Sequence, residues 1–210
     1  QRGSRGRGVI AGGYSAPAKN NVMDIVQIAT TGNAISFGDL TTERSSVHSV
    51  SSSTRMVTCG GYAPANTNVM EYVSISAGGD TLDFGDNTTG RFNVNSTSNA
   101  TRGLIAAGYD TTGRNWIEYV TISTTGNSED FGDLAFAKQD AAGTASSPTR
   151  GIFCGGINPS ILSNGPSDYV EFASLGNAID FGDISARGYC FGTSNSVRGI
   201  IAGGITPGAS

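Results

Sequence analysis

Arg55-Met56-Val57-Thr58-Cys59-Gly60-Gly61-Tyr62, then Val69-Met70-Glu71-Tyr72-Val73-Ser74-Ile75-Ser76, then Asp83-Phe84-Gly85-Asp86, is the stretch whose reading decides the fold. The first run is short, β-prone and ended by a double glycine. In the second, Met70, Tyr72, Ser74 and Ser76 fall on one face and Val69, Glu71, Val73 and Ile75 on the other, the period of two that a strand requires. Gly79-Asp80 then supplies the positive φ of a tight hairpin turn, and a short strand passes through Phe84. A Ser/Thr/Asn-rich segment, such as residues 44–51 or 92–98, leads on to the next arginine and the next glycine step.

Working outward, the same unit recurs. Gly12-Gly13, Ala107-Gly108, Gly155-Gly156 and Gly203-Gly204 match Gly60-Gly61, and Phe-Gly-Asp steps begin at Phe37, Phe84, Phe131 and Phe181, spaced 47, 47 and 50 residues apart. The turn signal recurs as Gly32-Asn33, Gly126-Asn127 and Gly176-Asn177. Two unrelated markers with one period mean a duplicated supersecondary unit that stacks on its own copies. The copies span roughly 7–54, 55–101, 102–149 and 150–197, with 198–210 opening a fifth, in one repeat domain covering residues 1–210. About 47 residues and four short strands per copy, with no helical period, predict an all-β chain: a β-propeller of four-stranded blades, four copies plus a surplus strand.

Composition narrows the function classes. The chain has 37% hydrophobic and 14% charged residues, 31 Gly and a net charge of −4. That is neither disordered nor fibrous, and it offers no strong field for nucleic acid or an anionic membrane. No apolar run approaches the length of a membrane-spanning helix. The start at Gln1 without Met suggests a processed chain or a piece of a longer one. Cys59 and Cys154 occupy the same slot two copies apart and Cys190 another, so three buried thiols are expected and no disulfide. Without a Cys-x-x-Cys pair, a zinc site has no support.

The recurring arginine, apolar strand, double glycine, tyrosine and later aromatic (Arg44, Met56-Val57, Gly60-Gly61, Tyr72, Phe84) resemble the pattern of kelch-repeat propellers, with Phe where that family places Trp closer behind Tyr. The wording of residues 122–127 and 130–134 looks like repeats in virion structural and tail-fibre proteins of marine bacteriophages. That resemblance implies an extracellular or virion setting, a structural or adhesive role without catalysis, and partners that are other protein subunits or a surface glycan. The kelch resemblance also leaves open a carbohydrate-active or oxidase-like propeller enzyme, or an intracellular interaction domain.

Candidate sites follow from the repeat. Asp86, Asp133 and Asp183 are expected to accept turn or arginine hydrogen bonds between blades. Arg55, Arg102 and Arg150 are the candidate partners, because a guanidinium fork suits a carboxylate. On that reading Asp133→Ala lowers thermal stability. Two oxygens per copy flanking Phe-Gly are too sparse for calcium, and neither a metal nor another cofactor is expected. Asp-Phe-Gly also matches the kinase magnesium motif, but without its catalytic loop. The single histidine, His48, lacks a triad and reads as a strand residue. Two departures from the repeat are candidate binding features: Arg114 with Trp116, a common anchor pair, and the longer fourth-copy loop with Asn158 and Asn164. Asn87, Asn95 and Asn99 begin glycosylation sequons.

The ends repeat each other: Arg7-Gly8-Val9-Ile10-Ala11-Gly12-Gly13 and Arg198-Gly199-Ile200-Ile201-Ala202-Gly203-Gly204 are one strand written twice. Residues 188–195 are expected to complete the first blade as a borrowed outer strand. The last strand then has no seat, which favours an oligomer or a longer chain.

Overall fold

A computed structural model describes residues 6–139, 143–157 and 165–206. No helix occurs among them. Four antiparallel sheets sit in a ring as the blades of a four-bladed β-propeller, with an added two-stranded sheet. The first blade is β1 (Arg7–Ser15), β2 (Ala18–Gln27) and β3 (Ile35–Asp39); the second is β4 (His48–Ser51), β5 (Arg55–Cys59), β6 (Val69–Ser74) and β7 (Leu82–Asp86). The third is β8 (Asn95–Ser98), β9 (Arg102–Ala106), β10 (Arg114–Thr121) and β11 (Glu129–Lys138). The fourth is β12 (Gly143–Ser146), β13 (Arg150–Cys154), β14 (Gly165–Glu171) and β15 (Ile179–Ile184), after which β16 (Phe191–Ser194) pairs with β17 (Gly199–Ala202).

Each four-stranded blade is a meander in chain order, and its first strand is the inner one. These inner strands, β4, β8, β12 and β16, lie side by side without sharing a sheet, and their Ser/Thr content supplies the missing cross-links. Ser96 Oγ donates to the Ser49 carbonyl (2.9 Å) and Ser98 Oγ to that of Ser51 (3.0 Å). Thr144 Oγ1 donates to the Ser96 carbonyl (2.8 Å), and Ser194 Oγ to that of Ser146 (2.9 Å). Hydroxyls thus do between blades what backbone ladders do within them. The polar segments of the sequence form the inner strands, of which β8 is buried throughout and β16 mostly exposed.

The cores lie between blades. Met23, Leu40, Met56, Val73 and Ile75 join the first two; Val57, Met70, Phe84, Ile105 and Ile122 join the second and third; Ile117, Phe131, Phe153 and Phe172 join the third and fourth. No blade buries its apolar face alone, so stability is a sum over neighbouring contacts. Cys59, Cys154 and Cys190 are free and buried, and burial pushes the Cys59 thiol up to about 12.

Two expectations are corrected. Period-two alternation breaks in β2, β6, β10 and β14; in β6 a bulge separates Met70 from Glu71, and both residues are buried. The strand at residues 188–195 is not an outer strand borrowed by the first blade: β16 occupies an inner position and pairs with β17, so β1 keeps an unpaired edge.

Candidate functional site

The bulge recurs at Met23/Asp24, Met70/Glu71, Ile117/Glu118 and Ser167/Asp168. An added residue re-aims a side chain, and here it places an acid at the same position in every copy, buried in the second, third and fourth. Three of these acids meet a base that lies ahead of an inner strand, from the connection in the case of Arg44 and Arg91 and from the end of β11 in the case of Lys138. The pairs are Arg44–Glu71, Arg91–Glu118 and Lys138–Asp168, the last at 2.8 Å, and all six side chains are buried. Arg44 also donates to the Gly60 and Val69 carbonyls, and Thr41 and Thr88 donate to the same glutamates. These buried pairs match each acid with a base and so specify geometry, although Arg44 Nε and Arg91 Nε find no acceptor among the described residues.

Phe-Gly-Asp is the second joint. The next blade's turn seats on it by backbone bonds: Gly126 N–H donates to the Phe84 carbonyl (2.7 Å) and Ser128 N–H to that of Asp86 (2.9 Å). Asn127 Oδ1 accepts the Asp86 N–H (3.0 Å). The same set joins Gly176, Asn177 and Ala178 to Phe131 and Asp133. At Gly85, φ is 135° and a Cβ would meet the Gly126 carbonyl oxygen at 2.5 Å, so only glycine admits the turn.

The expected arginine–aspartate pairs do not form. Arg55 lies 4.2 Å over the Tyr72 ring and donates to the Ile122 carbonyl (3.1 Å) of the next blade. Arg102 lies 4.5 Å over Tyr119 and donates to the Phe172 carbonyl (2.5 Å). Arg150 lies 4.7 Å over Tyr169 and bonds Glu171 (2.5 Å). The arginine and Phe-Gly-Asp stations sit at different joints, and no arginine reaches these acids among the described residues: Asp86 and Asp183 are exposed and Asp133 is half-buried.

Arg114 and Trp116 come together, with the guanidinium 4.6 Å over the indole and Arg91 at 5.7 Å. Arg114 also grips Asp110 through Nε (2.9 Å) and Nη2 (2.7 Å). Burial opposes ionisation of Asp110, but the Arg114 fork and the Thr111 and Thr112 N–H groups outweigh it and hold the carboxyl well below the usual range. Trp116 is therefore half-buried beneath a fixed cation and is not an open anchor. Asn158 and Asn164 lie outside the described residues. Asn87 and Asn95 are buried, which closes those sequons, and Asn99 caps the turn before β9 through Thr101 and Arg102.

Next to this pair lies a row that sequence reading did not single out. Tyr62, Phe92 and Tyr109 stack edgewise at 5.7 and 5.5 Å, with Lys19 4.2 Å over Tyr62. Isolated bridges Ser45↔Tyr62 and Phe92↔Tyr109 hold the rings at one end of the blades, and Asn66 Nδ2 ties the row to the Asp110 carbonyl (2.9 Å). Tyr62 is 39% exposed. The signal was present as an aromatic directly behind the glycine step at Tyr14, Tyr62 and Tyr109. The larger cleft, about 210 Å³ between Phe84, Tyr119, Asn127 and Glu129, is below the size of ordinary small-molecule sites.

No protein-family model and no curated protein matches the chain. The propeller arrangement is consistent with kelch-like repeats. Among the described residues no helix is long and apolar enough to cross a membrane, and no three His, Cys, Asp or Glu side chains converge as metal ligands.

Proposed function

We propose that the chain is a non-enzymatic structural or adhesive propeller, a component of a virion or its fibre in an extracellular setting, which contacts protein subunits or a glycan. The observation that carries this reading is the Lys19–Tyr62–Phe92–Tyr109 row: rigid, partly exposed rings held by backbone bridges, with a cation at one end. Such rings offer an apolar face with a wet rim, which suits the faces of sugar rings or a partner's side chains. The buried charged groups in the interiors of the second, third and fourth blades are already paired, which supports a scaffolding role over acid–base work.

The test is binding to an array of surface glycans by the intact chain and by Tyr62→Ala and Phe92→Ala variants. Binding lost at least tenfold in the variants, with melting unshifted by more than a few degrees, is the expected result. Binding that ignores both rings, or turnover of any glycan, overturns it.

A further inference from the structure

The inter-blade joint is complete three times among the described residues, and a fourth is present as two separated halves. On the trailing face, Phe181-Gly182-Asp183 repeats the seat for a turn, yet a Cβ at Gly182 would meet nothing within 4 Å. Phe131 is 2% exposed beneath the following turn, whereas Phe181 is 53% exposed. Arg150, whose counterparts Arg55 and Arg102 reach a carbonyl of the next blade, bonds only its own blade's Glu171. Arg187 donates to the Gly203 carbonyl (3.3 Å), as Arg44 does to Gly60, but no acid stands where Glu71 stands.

The leading face carries the matching groups. Asp24 occupies the bulge position of Glu71, Glu118 and Asp168, and among the described residues no base is paired with it. The Gly32-Asn33 turn matches the seated turns at Gly79, Gly126 and Gly176, whose N–H groups bond the Phe37, Phe84 and Phe131 carbonyls, but among the described residues it meets no Phe-Gly-Asp step. Ile28 stands where Ile75, Ile122 and Phe172 accept the preceding blade's arginine. The sheets are complementary too: β1–β2–β3 lacks an inner strand, and β16–β17 has an inner strand without its two outer ones.

From this we infer that the trailing face is the docking surface for the leading face of a second copy of this chain, joined in a hybrid blade ordered β16, then β1, β2 and β3 of the incoming copy. The inference deepens the structural reading above by naming its subunit partner, and it rests on that reading. In the joint, Arg187 pairs with the incoming Asp24, Arg150 reaches the Ile28 carbonyl, and the Gly32-Asn33 turn covers Phe181-Gly182-Asp183. β17 yields its place to β1. The two strands are nearly the same sequence, but β1 is bound to β2 over eight paired positions and β17 to β16 over four. A head-to-tail joint of this kind is heterologous, so it extends into closed rings or open strings of copies. The exposed Phe181, Phe191, Ile10 and Ile28 are the apolar surface it would cover.

The experiment mixes chains carrying Asn33→Cys with chains carrying Asp183→Cys, both at exposed positions, under mild oxidation. A linked species of twice the mass in the mixture, absent from either chain alone, is expected, since the Asn–Asp contact of the internal joints places these positions within disulfide reach. Sedimentation of Arg187→Asp and Asp24→Arg chains, with melting measured alongside, gives the second readout. Each variant weakens self-association at least tenfold, and the doubly substituted chain recovers it. A monomer at every concentration, or a link formed only within one doubly substituted Asn33→Cys/Asp183→Cys chain, overturns the inference. Glycan binding by the aromatic row that persists in such a monomer leaves the functional proposal standing.

Discussion

At the scale of single residues, burial decides which charges matter. Glu118 accepts from Arg91 and Thr88 in a site closed to water, so Glu118→Ala strands a buried guanidinium and should cost about 3–5 kcal/mol. Chemical denaturation measures it, and a loss below 1 kcal/mol would remove the pair from the account of stability. The half-buried Asp133, which meets no base among the described residues, makes the contrast: Asp133→Ala should cost less than about 1 kcal/mol, against the expectation from sequence. Spacing revealed that Arg and Asp recur but not which base meets which acid. The acids that pair are brought inward by a bulge, and an extra residue in a strand leaves no mark in a period-two pattern. His48 adds a pH dependence. Burial lowers its pKa from 6.5 to about 4, so between those values the unfolded chain binds more protons. Stability must then fall as pH drops from 6.5 to 4, by on the order of 1–3 kcal/mol given that the ring is only half-buried. His48→Asn, the residue of the equivalent position 95, should flatten melting across that window; an unchanged slope would assign the effect to other groups.

At the scale of the strand and turn, one glycine position separates conformational strain from packing. Gly85 and Gly182 both have positive φ, 135° and 111°, so alanine strains the backbone at either. Only at Gly85 does the added methyl also collide with the next turn. Gly85→Ala should therefore destabilise the isolated chain by about 2 kcal/mol more than Gly182→Ala, of the order of forcing a core to take a group it has no room for. Equal losses in thermal melting would show that the turn contributes nothing to the joint. Strand identities and hairpin turns were legible because Gly-Asn and Gly-Asp carry their geometry in the residue type. The Ser/Thr-rich inner strands were harder to place. A hydroxyl that replaces an inter-sheet ladder looks, in sequence, like a hydroxyl in a loop.

At the scale of the whole molecule, the period of about 47 residues was enough to read a propeller, because a blade of this size cannot cover its own apolar face. Which strand lies innermost, and how the two copies of the repeated end strand are used, depended on pairing that no local pattern encodes. The Tyr62–Phe92–Tyr109 row is likewise assembled from two copies, so it exists only once blades are adjacent. A one-dimensional stack also predicts where the molecule opens. β8 is buried on every residue and cross-linked on both sides, to Ser49 and Ser51 before it and to Thr144 after it. β17 is mostly exposed and pairs with one short neighbour. Local opening costs least where few buried contacts are lost. Amide exchange should therefore be fastest in β16–β17, intermediate in β1–β3 and slowest in β8–β9. Added protein should slow β16 and β1–β3 together if copies join head to tail, because the hybrid blade buries both at once, while the displaced β17 stays fast. Uniform exchange across the sheets would mean that the blades unfold as one unit, and that the joints between them are as strong as the ladders within.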